Sequence, residues 1–194
     1  MVDIKAEYCT KLDRNHILRL TEWAKDENTI IRRSALTELA VILASLGLRT
    51  RQIIRITGGG RGGLKQNNIF QVWEFVHGHR PPSGLDLSSV IHRFSSVRAR
   101  QHASSWLGFY VSRGGKIGGS IEDNLVPFIL SFSDYISVCK NMDIKPRVNG
   151  REAVMLMGEF EFNTVLMSYR RCRKCNLHYL HIPEFSSGEC IYCK

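Results

Sequence analysis

The chain of 194 residues carries 27 Lys and Arg against 18 Asp and Glu, a formal charge of +9, with 43% apolar and 23% charged residues. That length suits one globular domain, or a domain with a small appendage, and the composition excludes disorder, collagen and a pure coiled coil. No run of 18 apolar residues occurs, and the opening MVDIKAEYCTKLDRNH has acids and no apolar centre, so neither a membrane span nor a secretory signal is expected.

In chain order, the first 28 residues are polar and net acidic, and Ile17, Leu20 and Trp23 suggest a short helix. From Ile30 to Leu46 the apolar positions Ile31, Ala35, Leu36, Leu39, Ile42, Leu43 and Leu46 recur at three and four, which predicts a helix with a buried stripe, stopped by Gly47. Arg49–Thr57 reads as a short helix or a strand, and GGGRGG then breaks the chain. Helical spacing resumes from Leu64 to Val76. A turn follows at His79-Arg80-Pro81-Pro82-Ser83-Gly84, and Ser88 or Ser89 can cap a long helix reaching Arg113. Further helices are expected over Asn124–Lys140 and Arg151–Phe162, and a β-like stretch, Thr164–Tyr169, leads into the last cysteines. The expected fold class is mainly α, a helical body with a helix-turn-helix-like unit and a small C-terminal four-cysteine zinc knuckle. The corresponding segments are 1–29, an extension; 30–163, a helical DNA- and partner-binding domain; and 164–194, the zinc module.

Charge is not spread evenly. Residues 31–120 hold thirteen bases and three acids (Glu38, Glu74 and Asp86), so this stretch carries +10 and the remainder −1. One surface facing a polyanion accounts for such concentration, and nucleic acid is the first candidate.

Of six cysteines, Cys172/Cys175 and Cys190/Cys193 stand as two C-x-x-C pairs. Each pair aims two thiolates at one point, and two pairs supply the tetrahedral all-sulfur set that one structural Zn²⁺ accepts, with no position left for a catalytic water; an iron–sulfur cluster is the minor alternative. Arg170, Arg171, Arg173 and Lys174 surround the first pair and favour thiolates there. His178 and His181 lie close enough in sequence to replace a thiolate, but the four-cysteine set is complete without them. Cys9 and Cys139 read as partly buried small hydrophobes, and Trp73, Trp106, Phe109 and Tyr110 as core or partner-facing aromatics.

The segment Leu36–Val76 reads as helix, short helix, glycine turn and helix. In a helix-turn-helix the last helix brings its N-terminal residues to base edges. Arg61, Lys65, Gln66 and Asn67 have side chains that read guanine or adenine, while Arg49, Arg51, Arg55 and Arg80 would hold phosphates. A rival basic face is formed by Arg93, Arg98 and Arg100. Gly58-x-Gly60-x-x-Gly63 matches the dinucleotide fingerprint only formally, since no strand–helix alternation follows. No catalytic triad or H-E-x-x-H pattern occurs, Glu159 and Glu161 face apart at i, i+2, and no enzyme activity is expected.

The order of landmarks resembles the FlhC family of bacterial transcriptional activators: LAVILASLGLRTRQIIRITG (Leu39–Gly58), GGLKQNNIF, the turn Gly78-His79-Arg80-Pro81-Pro82-Ser83-Gly84, the His102-Ala103-Ser104 core and the terminal four cysteines. The resemblance covers roughly residues 35–193. The chain departs from the family in GLDLSSVIHRF after the prolines and in a longer N-terminal extension, and divergence of this kind resembles FlhC-like activators carried by conjugative elements. The resemblance implies a cytoplasmic, nucleoid-associated bacterial activator that binds promoter DNA in a hetero-oligomer with an FlhD-like subunit, with RNA polymerase as a further partner and flagellar or conjugative-transfer genes as targets. The alternative readings are a zinc-ribbon RNA-binding or assembly protein and a DNA-processing factor.

Overall fold

The computed structural model describes residues 12–58, 62–82, 90–162, 166–186 and 189–193. The fold is mainly helical and divides into two compact units, Met1–Leu85 and Asp86–Lys194.

The first unit contains α1 (Arg14–Trp23), α2 (Thr29–Ser45), α3 (Thr50–Ile56) and α4 (Gln66–His77). Asn28 starts α2 by accepting the amide of Ile30 through its side chain. At its other end Gly47 takes a φ of 87°, and the amides of Gly47 and Leu48 close back onto the carbonyls of Ala44 and Leu43 at 2.8 and 3.1 Å. A left-handed residue is what this termination needs, hence the glycine. The apolar stripe of α2 is spent inside the unit: Ala35, Leu36, Leu39, Ala40, Ile42 and Leu43 are buried, and α2 packs on α1, α3 and α4. The ambiguous Arg49–Thr57 segment is helical, with Gln52 returning its side-chain carbonyl to the amide of Arg49. Trp73 is buried and lies 4.0 Å, ring to ring, from His77, whose Nε2 meets the Ala44 carbonyl at 3.1 Å.

In the second unit a 3-10 turn, Ile91–Phe94, precedes α5 (Val97–Ser112), α6 (Leu125–Asn141) and α7 (Gly150–Glu161); the strands β1 (Ser168–Arg171) and β2 (His178–His181) form an antiparallel hairpin pairing Ser168 with His181 and Arg171 with His178. The single helix expected from Ser88 or Ser89 to Arg113 is therefore broken before Val97; the two serines lie outside the described residues. Ser96 accepts the Ala99 amide at 3.1 Å and starts a new helix, while the Arg100 guanidinium folds back onto the carbonyls of Phe94 and Ser95 and holds the 3-10 turn against it. Arg100 is 4% exposed, so it is a bracket inside the fold, and the rival basic face loses that member. Between α5 and α6 lies an aromatic core of Trp106, Tyr110, Phe128, Phe132 and Tyr135, all buried, with Trp106 and Phe132 centroids 5.3 Å apart. A Cβ at Gly115 would come within 2.6 Å of the Tyr110 ring, which reserves that position for glycine.

One buried hydroxyl joins three segments of this unit. The Tyr135 oxygen accepts the amides of Arg147 and Val148 at 2.9 and 3.3 Å and lies 2.7 Å from His102 Nδ1 on α5. With both lone pairs used, the hydroxyl proton goes to Nδ1, so His102 is neutral with its own proton on Nε2. Burial and the charges of Arg147 and Arg98 hold His102 below the ordinary imidazole value, and burial with Arg170 and Arg100 does the same to His181.

Tyr135→Phe leaves two amides without an acceptor and should cost about 2 kcal/mol in denaturant unfolding. Because both histidines bind protons more weakly in the folded chain than in the unfolded one, stability should be full above the ordinary imidazole value and fall as pH drops through about 6.5; unfolding midpoints measured between pH 7.5 and 5 check the sign.

Candidate metal centre

The cysteine site is built from two short turns facing each other. In the first, Cys172 directly follows the β1 strand, its amide donates to the Leu177 carbonyl at 2.9 Å, and its carbonyl accepts the Asn176 amide at 3.0 Å. Asn176 has a φ of 61°, the left-handed conformation that asparagine tolerates better than most residues. This folds the backbone so that the Lys174 amide points at Cys172 Sγ, 3.3 Å away. In the second turn the Cys193 amide closes onto the Cys190 carbonyl at 3.1 Å and the Tyr192 amide points at Cys190 Sγ at 3.4 Å. The two C-x-x-C pairs thus repeat one device: the amide two residues on from the first cysteine donates to its sulfur.

All four Sγ atoms lie within 4.8 Å of one another, and Cys172–Cys193 and Cys175–Cys190 are each 3.7 Å apart. A tetrahedron of about 2.3 Å metal–sulfur bonds has edges of about 3.8 Å. The donor set therefore fits one four-coordinate metal ion. The titration of the sulfurs agrees with that chemistry. Amide hydrogen bonds from Cys175 and Lys174 bring the Cys172 thiol down to about 6. Cys193 is pushed up to about 12, first by its hydrogen-bonded neighbour Cys175, and burial also raises Cys190. Four crowded sulfurs do not all shed protons unless a cation stands among them.

The hairpin is seated on α5 by polar contacts. Ser104 Oγ accepts the Leu180 amide at 2.8 Å and gives its own proton to the Arg100 carbonyl at 2.6 Å. Gln101 donates to the Ile191 carbonyl at 3.2 Å, and the Tyr192 hydroxyl donates to the Gln101 carbonyl at 3.4 Å. Leu180 and Ile182 are fully buried, and Cys172, Tyr179, Cys190 and Ile191 form a small core of their own. His178 stacks on Tyr169, with ring centroids 5.4 Å apart, and the cluster of possible ligands among the described residues consists of cysteines alone.

The residues expected to touch DNA divide into separate places within the first unit. Arg51 and Arg55 lie at i, i+4 on α3, exposed, and Arg49 is half-buried where α3 begins. Lys65, Gln66 and Asn67 are exposed at the start of α4. Arg80 follows the other end of that helix, roughly 18 Å away by helix geometry, and its Nε lies 3.4 Å from Glu74. Arg61 lies outside the described residues. Sequence reasoning missed Gln101 and Ser104 as supports of the cysteine site; their only signal was polar character on the buried face of a helix.

Cys172→Ser and Cys193→Ser should each abolish stoichiometric metal retention, read by elemental analysis of protein purified without chelator. Ser104→Ala should leave the four thiols in place but strand the Leu180 amide, lowering stability by about 1–3 kcal/mol. Compared with known proteins, the chain matches no family model and no curated sequence.

Proposed function

We propose that the chain is the DNA-binding subunit of a transcriptional activator, stabilised by one structural zinc ion and acting with an FlhD-like partner on flagellar or conjugative-transfer genes. The observation that carries this reading is the concentration of +10 in residues 31–120, together with the exposure of its members Arg51, Arg55 and Lys65 beside Gln66 and Asn67. The exposed cations of α3 have the chemistry of phosphate holding, and the amide side chains that follow Lys65 at the start of α4 have that of base reading. In this reading α3 and α4 work as a helix-turn-helix-like pair, with the first turn of α4 presented to the major groove.

Zinc is the metal because four thiolates in a tetrahedral arrangement are the soft, closed donor set it favours, and closure keeps water from the metal. The metal therefore holds the fold and does no chemistry on a substrate. The partner would contact the first unit, where Ile30 and Phe75 are about four-fifths exposed and Trp23 and Ile31 more than a third.

Gel shifts with Mg²⁺ present should show salt-sensitive binding to duplex DNA without cleavage; preference for single strands or RNA, or product bands, would overturn the reading. R51E/R55E should weaken all duplexes alike, whereas K65A or N67A should change base preference by about 1–3 kcal/mol per lost contact.

A further inference from the structure

The second unit carries a cationic group that the +10 stretch only partly contains. His102 sits on α5 one turn after Arg98, and the Tyr135 hydroxyl that fixes its Nδ1 also binds the Arg147 amide, which brings the loop after α6 to the same place. The imidazole is half-buried, with Nδ1 committed and Nε2–H the remaining donor. Both charges that bear on it, Arg147 and Arg98, are positive. The two guanidinia are exposed, and neither is ion-paired among the described residues. On α6, buried Tyr135 meets the ring edge to face with centroids 5.9 Å apart, and Lys140 and Lys145 add exposed charge at the end of that helix and in the loop beyond it. The nearby acids are Asp143, exposed in the loop, and Glu152, whose carboxylate accepts the Asn149 amide. Uncompensated positive charge this close to an imidazole costs stability, and an anion seated there would relieve the repulsion and let the ring take up a proton.

We propose that Arg98, Arg147 and the Nε2–H of His102 form a clamp for a backbone phosphate of duplex DNA, a second contact in addition to the α3–α4 face. The inference rests on the DNA-binding reading above. Two forked guanidinia and one N–H donor match the oxygens of a phosphodiester. Their exposure suits a long polyanion crossing the surface, where affinity accumulates over several contacts.

The test uses the full-length, metal-loaded chain and a mixed-sequence duplex, titrated over a range of salt. Because the clamp neutralises one phosphate, R98Q/R147Q should flatten the log–log salt dependence by about one relative to wild type, while R98K/R147K, which keeps both charges, should restore most of the slope. NMR of the His102 ring should show its titration moving to higher pH when duplex is added to wild type, and moving less in R98Q/R147Q. An unchanged slope in a folded, metal-retaining R98Q/R147Q protein overturns the clamp alone, provided R51E/R55E still weakens binding. A wild-type chain that binds no duplex at low salt overturns the DNA reading and the clamp together. A His102 shift with inorganic phosphate but none with duplex overturns the assignment to DNA and makes the site one for small anions.

Discussion

Crowding of four sulfurs sets the terms for the C-terminal part of this protein. Placed within 4.8 Å of one another, the thiols of Cys172, Cys175, Cys190 and Cys193 are driven apart in their protonation, with Cys172 brought down to about 6 and Cys193 pushed up to about 12. Amide donors stabilise the first charge, and each later charge meets the ones already formed. Only a cation at the centre makes all four thiolates compatible. The short strands, the left-handed Asn176 and the small core of Tyr179 and Ile191 therefore hold together a donor set that could take up a metal ion.

The hairpin is too small to settle this alone. Its polar attachment to α5 connects it to the aromatic core of the second unit, where Trp106, Tyr110, Phe128 and Phe132 interlock. Ser104 is central because its one hydroxyl accepts the Leu180 amide and donates to the Arg100 carbonyl, and Arg100 in turn brackets the 3-10 turn. A chain of hydrogen bonds thus runs from the residues before α5 to the strand between the two cysteine pairs.

What the sequence disclosed and what it hid follow from range. The helices over Ile30–Leu46, Leu64–Val76 and Asn124–Lys140 were legible because apolar spacing is a local property, and Gly47 marked a local stop. The paired cysteines were legible for the same reason: C-x-x-C spacing constrains its own backbone. The break before Val97 was not, since it depends on Arg100 turning backwards and on the competition of Ser96 as a cap. Nor was the burial of Arg100, because an arginine in a basic stretch looks like its exposed neighbours. The apolar stripe of α2 was correctly located, although a periodic stripe alone does not say whether its cover comes from the same chain. His102 was noted only as part of a motif; its setting depends on Tyr135 and Arg147, 33 and 45 positions further on.

The bond from the Leu180 amide to Ser104 Oγ spans 76 positions. At about 5–20 residues added per second during synthesis, α5 waits some seconds after leaving the ribosome before its covering strand exists. During that interval its packing face has no hairpin, and the two cysteine pairs emerge one after the other, so the first pair is complete before the second. Biogenesis thus has an ordered vulnerability: a nascent chain in a metal-poor or oxidising cell would meet its hazards at this step, well after the first unit had all the residues it needs.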